Sequence, residues 1–211
     1  MSEENEVKER IFNAAEQMFF QHGFAKVTMD EIASSLGMSK KTLYKFFSGK
    51  ESLLKELIYE RQCETEEQVN RIWANQNLDF VGKLKMMMDF LGEQTSKIRG
   101  PLFDDLRKNM PEIWNELHDF KKIKGLQKAT DLFNKGVEDG VFRKDINRDM
   151  VILIYTSAIQ TIINPEALAQ LPFSASQAVE KIFTIIFEGI FTEEGRAKYI
   201  SYKSDIQSNK E

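Results

Sequence analysis

Residues 28–54 read TMDEIASSLGMSKKTLYKFFSGKESLL, and the spacing within this stretch decides the fold. Ile32, Ala33 and Leu36 fall at i, i+1 and i+4, one apolar face of a short helix. Thr28 stands before it with Glu31 three positions on, a capping box in which each side chain satisfies the other residue's backbone N–H. Gly37 closes the helix, because the left-handed conformation usual after a helix end costs glycine little. Ser39 is the expected N-cap of a second short helix running from Lys40 to about Phe47. Two helices joined by a tight turn that holds a glycine make a helix-turn-helix pattern.

The second helix shows an unusual face to solvent. At about 100° per residue, Leu43, Phe46 and Phe47 point toward a core, while Lys41 and Lys45 point away with Tyr44 on the flank. Lys40 lies in the first turn, where a cation opposes the helix dipole. Between Gly37 and Lys50 there are four lysines and no acid, whereas the whole chain carries a formal charge of −4, leaving −4 − (+4) = −8 for the rest. A cationic face on an acidic chain points to phosphate binding at that place. A solvated lysine face is the plain alternative; the turn, the caps and the adjacent phenol favour DNA.

Residues 10–54 resemble the DNA-binding domain of the TetR/AcrR family of bacterial transcriptional regulators. The resemblance rests on a first helix ending in Phe19, Phe20 and Gly23, then on Thr28, Ile32–Ala33, Gly37, Ser39 and Thr42-Leu43-Tyr44, and on Phe47, Lys50-Glu51 and Leu53-Leu54. It departs from the family at Lys41, where a small residue is common, and at Ser48-Gly49. The resemblance implies an all-α protein with a three-helix, homeodomain-like helix-turn-helix domain over residues 1–54. A helical ligand-binding and dimerisation domain over 55–211 is implied to follow it. It further implies that Thr28, Ser39, Tyr44 and Lys50 contact phosphates, that Lys40 and Lys41 lie near base edges, and that Lys45 serves either purpose; Thr42 completes the DNA-binding set.

Composition fits this reading. With 211 residues the chain is able to bury a sizeable core, and 42% hydrophobic residues with only four prolines suit helices. One cysteine forms no internal disulfide and suits a reducing cytosol. The two histidines, His22 and His118, lack metal-ligand spacing, so neither an enzyme, a metal site nor a cofactor is expected. No apolar run reaches membrane-spanning length, and the acidic Met1–Asn5 is unlike a signal peptide. The expectation is a cytoplasmic protein without a membrane partner.

The rest of the chain reads as successive helices. The first covers residues 7–22, with Val7, Ile11, Ala14, Ala15, Met18 and Phe19 in helical period. Ser48 and Glu51 predict a second capping box for a long connector starting near Lys50, apolar at both ends and polar from Tyr59 to Gln68. Phe80 to Leu91 mark another helix; Pro101 and Pro111 each open a further one, the latter running toward Gly140. The turn Gly140 to Asp145 resembles the one that precedes the last two helices of TetR-like chains. Those two, at about 147–164 and 175–191, are apolar over more than one stripe, and the tail after Thr192 is expected to fray or to form a short loose helix.

The wide apolar surfaces predict a homodimer, with Ile154, Ala158, Ile162, Val179, Ile182, Phe183, Ile186 and Phe187 at its interface, deep burial within a monomer being the alternative. Trp73, Phe80, Met87, Met88, Phe90, Phe103, Trp114, Phe120 and Tyr155 are the candidate lining of a small-molecule pocket, a solid core being the alternative for each. No basic cluster converges there, while Glu60, Glu64, Glu66 and Glu67 line the connector. The expected effector is therefore hydrophobic or amphipathic, and neutral or cationic. The whole reads as a repressor that binds a pseudo-palindromic double-stranded DNA operator and is released by that molecule. In the family the effector displaces the connector helix and separates the two recognition helices. The alternative is a helix-turn-helix DNA-binding or adaptor protein with no sensor.

Overall fold

A computed structural model describes residues 3–96, 101–163, 167–168 and 170–208, with side chains described throughout except at 95–96, 103, 117–123 and 203–208. The protein is all-α. Its helices are α1 (Glu3–His22), α2 (Met29–Ser35), α3 (Lys40–Phe46), α4 (Lys50–Ala74) and α5 (Phe80–Ser96), then α6 (Pro101–Asn109), α7 (Pro111–Glu138), α8 (Arg148–Ile162), α9 (Ala175–Ile190) and α10 (Glu193–Ser208). Among the described residues the one extended pairing is an isolated antiparallel bridge between Phe142 and Phe191. The chain forms two compact units, Met1–Gln68 with Arg99–Leu117, and Val69–Ile98 with His118–Glu211.

The first unit is built on the local signals of residues 28–54. Thr28 and Glu31 form the capping box of α2, and Ser39 accepts the Thr42 N–H at the start of α3. Gly37 takes φ +65° between them, the left-handed turn that a side chain would strain. α1 begins earlier than its apolar period suggests, at Glu3, because Glu3, Glu4 and Glu6 place negative charge against the positive end of the helix dipole. Ile11, Phe19, Ile32, Leu43, Phe47, Leu53 and Leu54 are almost wholly buried in one core. Phe46 reaches that core only in part, since it falls one position round the helix from Phe47. Leu102 and Leu106 of α6 join the same core, so α6 belongs to this unit although it lies some fifty residues further along the chain.

α4 starts without the expected Ser48 cap. The Leu53 N–H bonds the carbonyl of Gly49, so Gly49 holds the N-cap position. Further along, the Arg61 guanidinium reaches across to α1, with Nε 3.1 Å from Glu16 and a terminal nitrogen 2.9 Å from Asn13. Its other terminal nitrogen bonds Glu64 at 2.7 Å. Glu64 is thus engaged within the connector helix, not held ready for a cationic ligand.

The second unit is organised around Phe142, 1% exposed. Its ring lies 5.4–5.8 Å from those of Phe80, Phe133, Phe187 and Phe191. The turn before it follows the sequence reading: Gly140 adopts φ +71°, and both Val141 and Phe142 donate to the Gly136 carbonyl. Asn147 caps α8 and a Ser174–Gln177 capping box opens α9. Of the two expectations for the tail the helix is the one found, over Glu193–Ser208, and it is docked instead of loose. Thr192 accepts the Gly195 N–H at the start of α10, and Tyr199, 4% exposed, packs 5.2 Å from Phe191. The helix is polar on average, yet Tyr199, Tyr202, whose ring closes on Gly82, and the close approach of Gly195 to Val141 suffice to seat it. Asn164-Pro165, the expected stop after α8, lies outside the described residues.

Gly136 gives this packing a sharp test. A Cβ there would sit inside the van der Waals envelope of the Phe142 ring, which has nowhere to move among four other aromatics. Gly136→Ala is expected to destabilise by about 1–3 kcal/mol through overpacking, and Phe142→Ala by about 3–5 kcal/mol through the cavity it leaves. Denaturant titration with an unchanged m-value checks both.

Candidate nucleic-acid interface

The eight residues expected to meet DNA divide sharply once their partners are seen. Lys41, Tyr44 and Lys45 lie on the outer face of α3, Tyr44 being 43% exposed. Lys41 and Lys45 have no acidic partner among the described residues. The helical period that buries Leu43 turns these three outward together. They form the cationic, solvent-facing surface that the spacing predicts.

The other five are engaged in building the domain. The Thr28 hydroxyl donates to Glu31 at 2.8 Å and accepts the Glu31 N–H at 3.2 Å. The Ser39 and Thr42 hydroxyls meet at 2.8 Å. Lys40 pairs with Asp30 at 2.8 Å, which ties the start of α3 to α2 and raises the pKa of the ammonium through that hydrogen bond. Both side chains are more than half exposed, so the pair is worth little to stability and is open to exchange for a phosphate.

Lys50 departs furthest from its expected role. Its ammonium donates to the carbonyls of Phe24 at 2.7 Å and Val27 at 2.8 Å, with Ala25 at 3.5 Å, and lies 4.3 Å from the centre of the Phe24 ring. Burial pushes its pKa down, against the charges of Asp105, Glu31 and Glu51. In this structure the Lys50 ammonium turns to the α1–α2 loop, whose carbonyls no helix satisfies. An open groove of about 600 Å³ lies beside it, lined by Phe24, Ser48, Gly49, Lys50, Glu51, Ser52 and Lys55. Ser52 and the exposed Lys55 were not singled out from sequence; their signal is position alone, in the first two turns of α4.

The candidate pocket residues also separate. Trp73, Phe80, Met87, Met88, Phe90 and Tyr155 share the second unit's core, with Trp73 and Phe80 5.8 Å apart. Tyr155 lies 5.4 Å from Phe183, and burial pushes its phenol up to about 12. Trp114 packs instead against the first unit's core, since it follows α6 into that unit. The side chains of Phe103 and Phe120 lie outside the described residues. A second groove, of about 420 Å³, is lined by Phe191, Glu193, Arg196, Ala197 and Ile200. Neither groove is lined by any of the nine candidates.

The dimer candidates divide as well. Val179, Ile182, Phe183 and Phe187 are at most 6% exposed, so their side chains belong to their own unit's interior and not to an outer face. Ala158, Ile162 and Ile186 are half-buried. Ile154 is exposed, alongside Met150 and Leu153 at i−4 and i−1 on α8, and Ile185 stands 74% exposed on α9. Among the described residues no group of three or more His, Cys, Asp or Glu could hold a metal. No described helix is long and apolar enough to cross a membrane.

The capped α2, the glycine turn and the cationic α3 define a helix-turn-helix protein. Residues 11–57 match the family profile described as bacterial regulatory proteins, tetR family. The chain is 27% identical over 185 residues to the uncharacterized HTH-type transcriptional regulator YvaF of Bacillus subtilis, covering 88% of this chain and 96% of that one. In fold it is similar to a TetR transcription regulator from Haloarcula marismortui, with a TM-score of 0.72 at 16% identity over 89% of this chain and 100% of that one. The fatty acid degradation regulator FadR from Bacillus halodurans gives 0.63 at 18% identity over 86% and 95%. Residues 11–57 therefore carry a tetR-family regulatory domain, and the chain shares its overall fold with TetR/AcrR regulators.

The α2 cap carries a pH signature. Hydrogen bonds from Thr28 hold the Glu31 carboxyl below its ordinary value of 4.5. A carboxylate depressed in the folded state stabilises above its unfolded value and loses that contribution as pH falls through the folded one. Glu31→Gln keeps an acceptor for the Thr28 N–H without the titration. The variant is expected to lose less of its thermal midpoint than the unaltered protein between pH 5 and pH 3, as read by circular dichroism.

Proposed function

We propose that this regulator is a cytoplasmic repressor that binds a pseudo-palindromic DNA operator as a homodimer through Lys41, Tyr44 and Lys45 of α3. The observation that carries this reading is the unpartnered cationic face of α3 on a chain of net charge −4. Each subunit lays α3 in a major groove, with the dimer axis on the operator's pseudo-two-fold axis. Lys41 reads a base edge; Tyr44 and Lys45 hold the backbone and set register without reading sequence. The pairing of Lys40 with Asp30 gives way to phosphate on docking, whereas Lys50 acts through the loop that it holds.

The dimer reading now rests on α8 and α9 as the structure presents them. Met150, Leu153, Ile154 and Ile185 are large, apolar and more than half exposed on helices that pack together, and apolar surface of this kind is covered by a partner in soluble proteins. A hydrophobic or amphipathic effector in the second unit is supported by the aromatic and thioether surface of Trp73, Phe80, Met87, Met88 and Phe90, with Tyr155 as a polar handle. Such a ligand has to displace packed side chains, and methionine gives way most readily. It releases DNA only if it prefers the conformation in which the α3 helices are spread. The packing of these same side chains against one another among the described residues favours a second reading, a DNA-binding regulator without a sensor.

Duplexes selected from a randomised library by the full-length protein test the assignment. Affinity should fall steeply with salt as counterions are released. Tyr44→Ala should weaken binding to all sequences alike, whereas Lys41→Ala should relax discrimination at one base position by roughly 1–3 kcal/mol. Binding that ignores salt and both substitutions sinks the reading. For the dimer, Leu153→Asp and Ile185→Asp introduce charge at positions already exposed, so the fold tolerates them. Light scattering should then show folded monomers that no longer hold a two-half-site duplex. A screen of apolar compounds that quench Trp73 and release DNA over the same concentration range separates a sensor from a plain DNA-binding protein.

A further inference from the structure

The α1–α2 loop, Gly23 to Val27, is gripped by charged groups from two other helices. Lys50 at the head of α4 gathers its carbonyls. From α6, the Asp105 carboxylate accepts the Ala25 N–H at 2.8 Å. Gly23 takes φ +85° and lies so close to the same carboxylate that a Cβ would come 2.7 Å from Asp105 Oδ2 and 3.1 Å from Pro101 Cβ. Leu102 and Leu106, 5% and 1% exposed, flank Asp105 and fix α6 in the core that also holds Leu43 and Phe47. The acid and the lysine thus take opposite halves of the loop's backbone polarity, one its N–H and the other its C=O groups.

The loop runs straight into Thr28, the N-cap of α2, and α2 packs on α3. A loop released from Asp105 loosens the start of α2 and, through it, the setting of α3. We propose that Asp105 is a positioning residue for DNA binding: from α6 its carboxylate fixes the α1–α2 loop, and operator affinity depends on that bond. The role rests on the reading of α3 as the DNA-contacting helix. The sign of the effect separates it from plain electrostatics. An acid near a phosphate-binding surface repels DNA, so removing its charge tightens binding; a positioning acid does the reverse.

The probe is the duplex selected by the unaltered full-length protein. Asp105→Ala should weaken its binding about tenfold, the scale of one lost charge-assisted hydrogen bond, with the salt slope unchanged because no phosphate contact is removed. Asp105→Asn, which keeps an acceptor for the Ala25 N–H, should stay within about threefold of the unaltered protein. Hydrogen exchange should show the Ala25 amide losing protection in Asp105→Ala while the Leu43 and Phe47 amides keep theirs. Equal or tighter binding by Asp105→Ala overturns the proposal, as does a loss as large in Asp105→Asn, or a loss of protection that spreads to Leu43. If the unaltered protein selects no duplex, the DNA-binding reading falls and this role with it. A selected duplex that Asp105→Ala binds normally removes this role alone.

Discussion

The Lys50 ammonium, 2.7 and 2.8 Å from the carbonyl oxygens of Phe24 and Val27, is the constraint on which the DNA-binding unit depends. The loop after α1 turns on Gly23 and enters α2 within six residues, leaving carbonyls that no helix can satisfy. An ammonium has three donors on a flexible stem and can serve several such groups at once. Its partial burial disfavours the charge, and the carbonyls, the Phe24 ring and the carboxylates of Asp105, Glu31 and Glu51 offset that. One side chain therefore joins the end of α1, the start of α2 and the start of α4. The cationic α3 lies in chain between the last two.

This explains which parts of the site could be read from residues alone. The α2 capping box, Ser39 at the head of α3 and the left-handed Gly37 are local, each formed within a few residues of chain, so spacing reveals them. Lys41, Tyr44 and Lys45 follow from the helical period once Leu43 is buried. The hydrogen bonds of Lys50 could not be read, because its partners lie 23 to 26 positions back and a lysine beside three others looks like part of a phosphate surface. Asp105 was invisible for the same reason, its partner lying 80 positions away. Resemblance to a family carried Lys50 and Thr28 into the DNA-binding set; the hydrogen bonds show that both are occupied in holding the domain together.

The second unit teaches a related lesson about apolar helices. The width of the hydrophobic surface on α9 was plain from sequence, but width does not say which side is inside. Phe142 decides it: by stacking with Phe187, which stacks with Phe183, it draws that face of α9 inward and leaves Ile185 out. On α8, Ile152 turns inward at 6% exposure while Leu153 and Ile154, its neighbours in chain, remain outside. The tail reads as polar and yet docks, since Tyr199 reaches Phe191 and a Cβ at Gly195 would collide with the Val141 carbonyl. Average polarity misses a helix that is held by a few residues at the right spacing.

Charge then acquires a more exact meaning than a count of lysines. Of the four between Gly37 and Lys50, Lys40 is paired with Asp30 and Lys50 is turned inward, so only Lys41 and Lys45 give α3 its outward charge. Outside this stretch the chain is acidic by eight charges, so on the proposed reading most of the chain repels a polyanion and this helix is the favourable approach. A small number of free cations on an otherwise repulsive molecule makes non-specific binding weak. On the proposed reading, discrimination among sequences depends on how accurately α3 is aimed, through the loop whose carbonyls and N–H are held by Lys50 and Asp105.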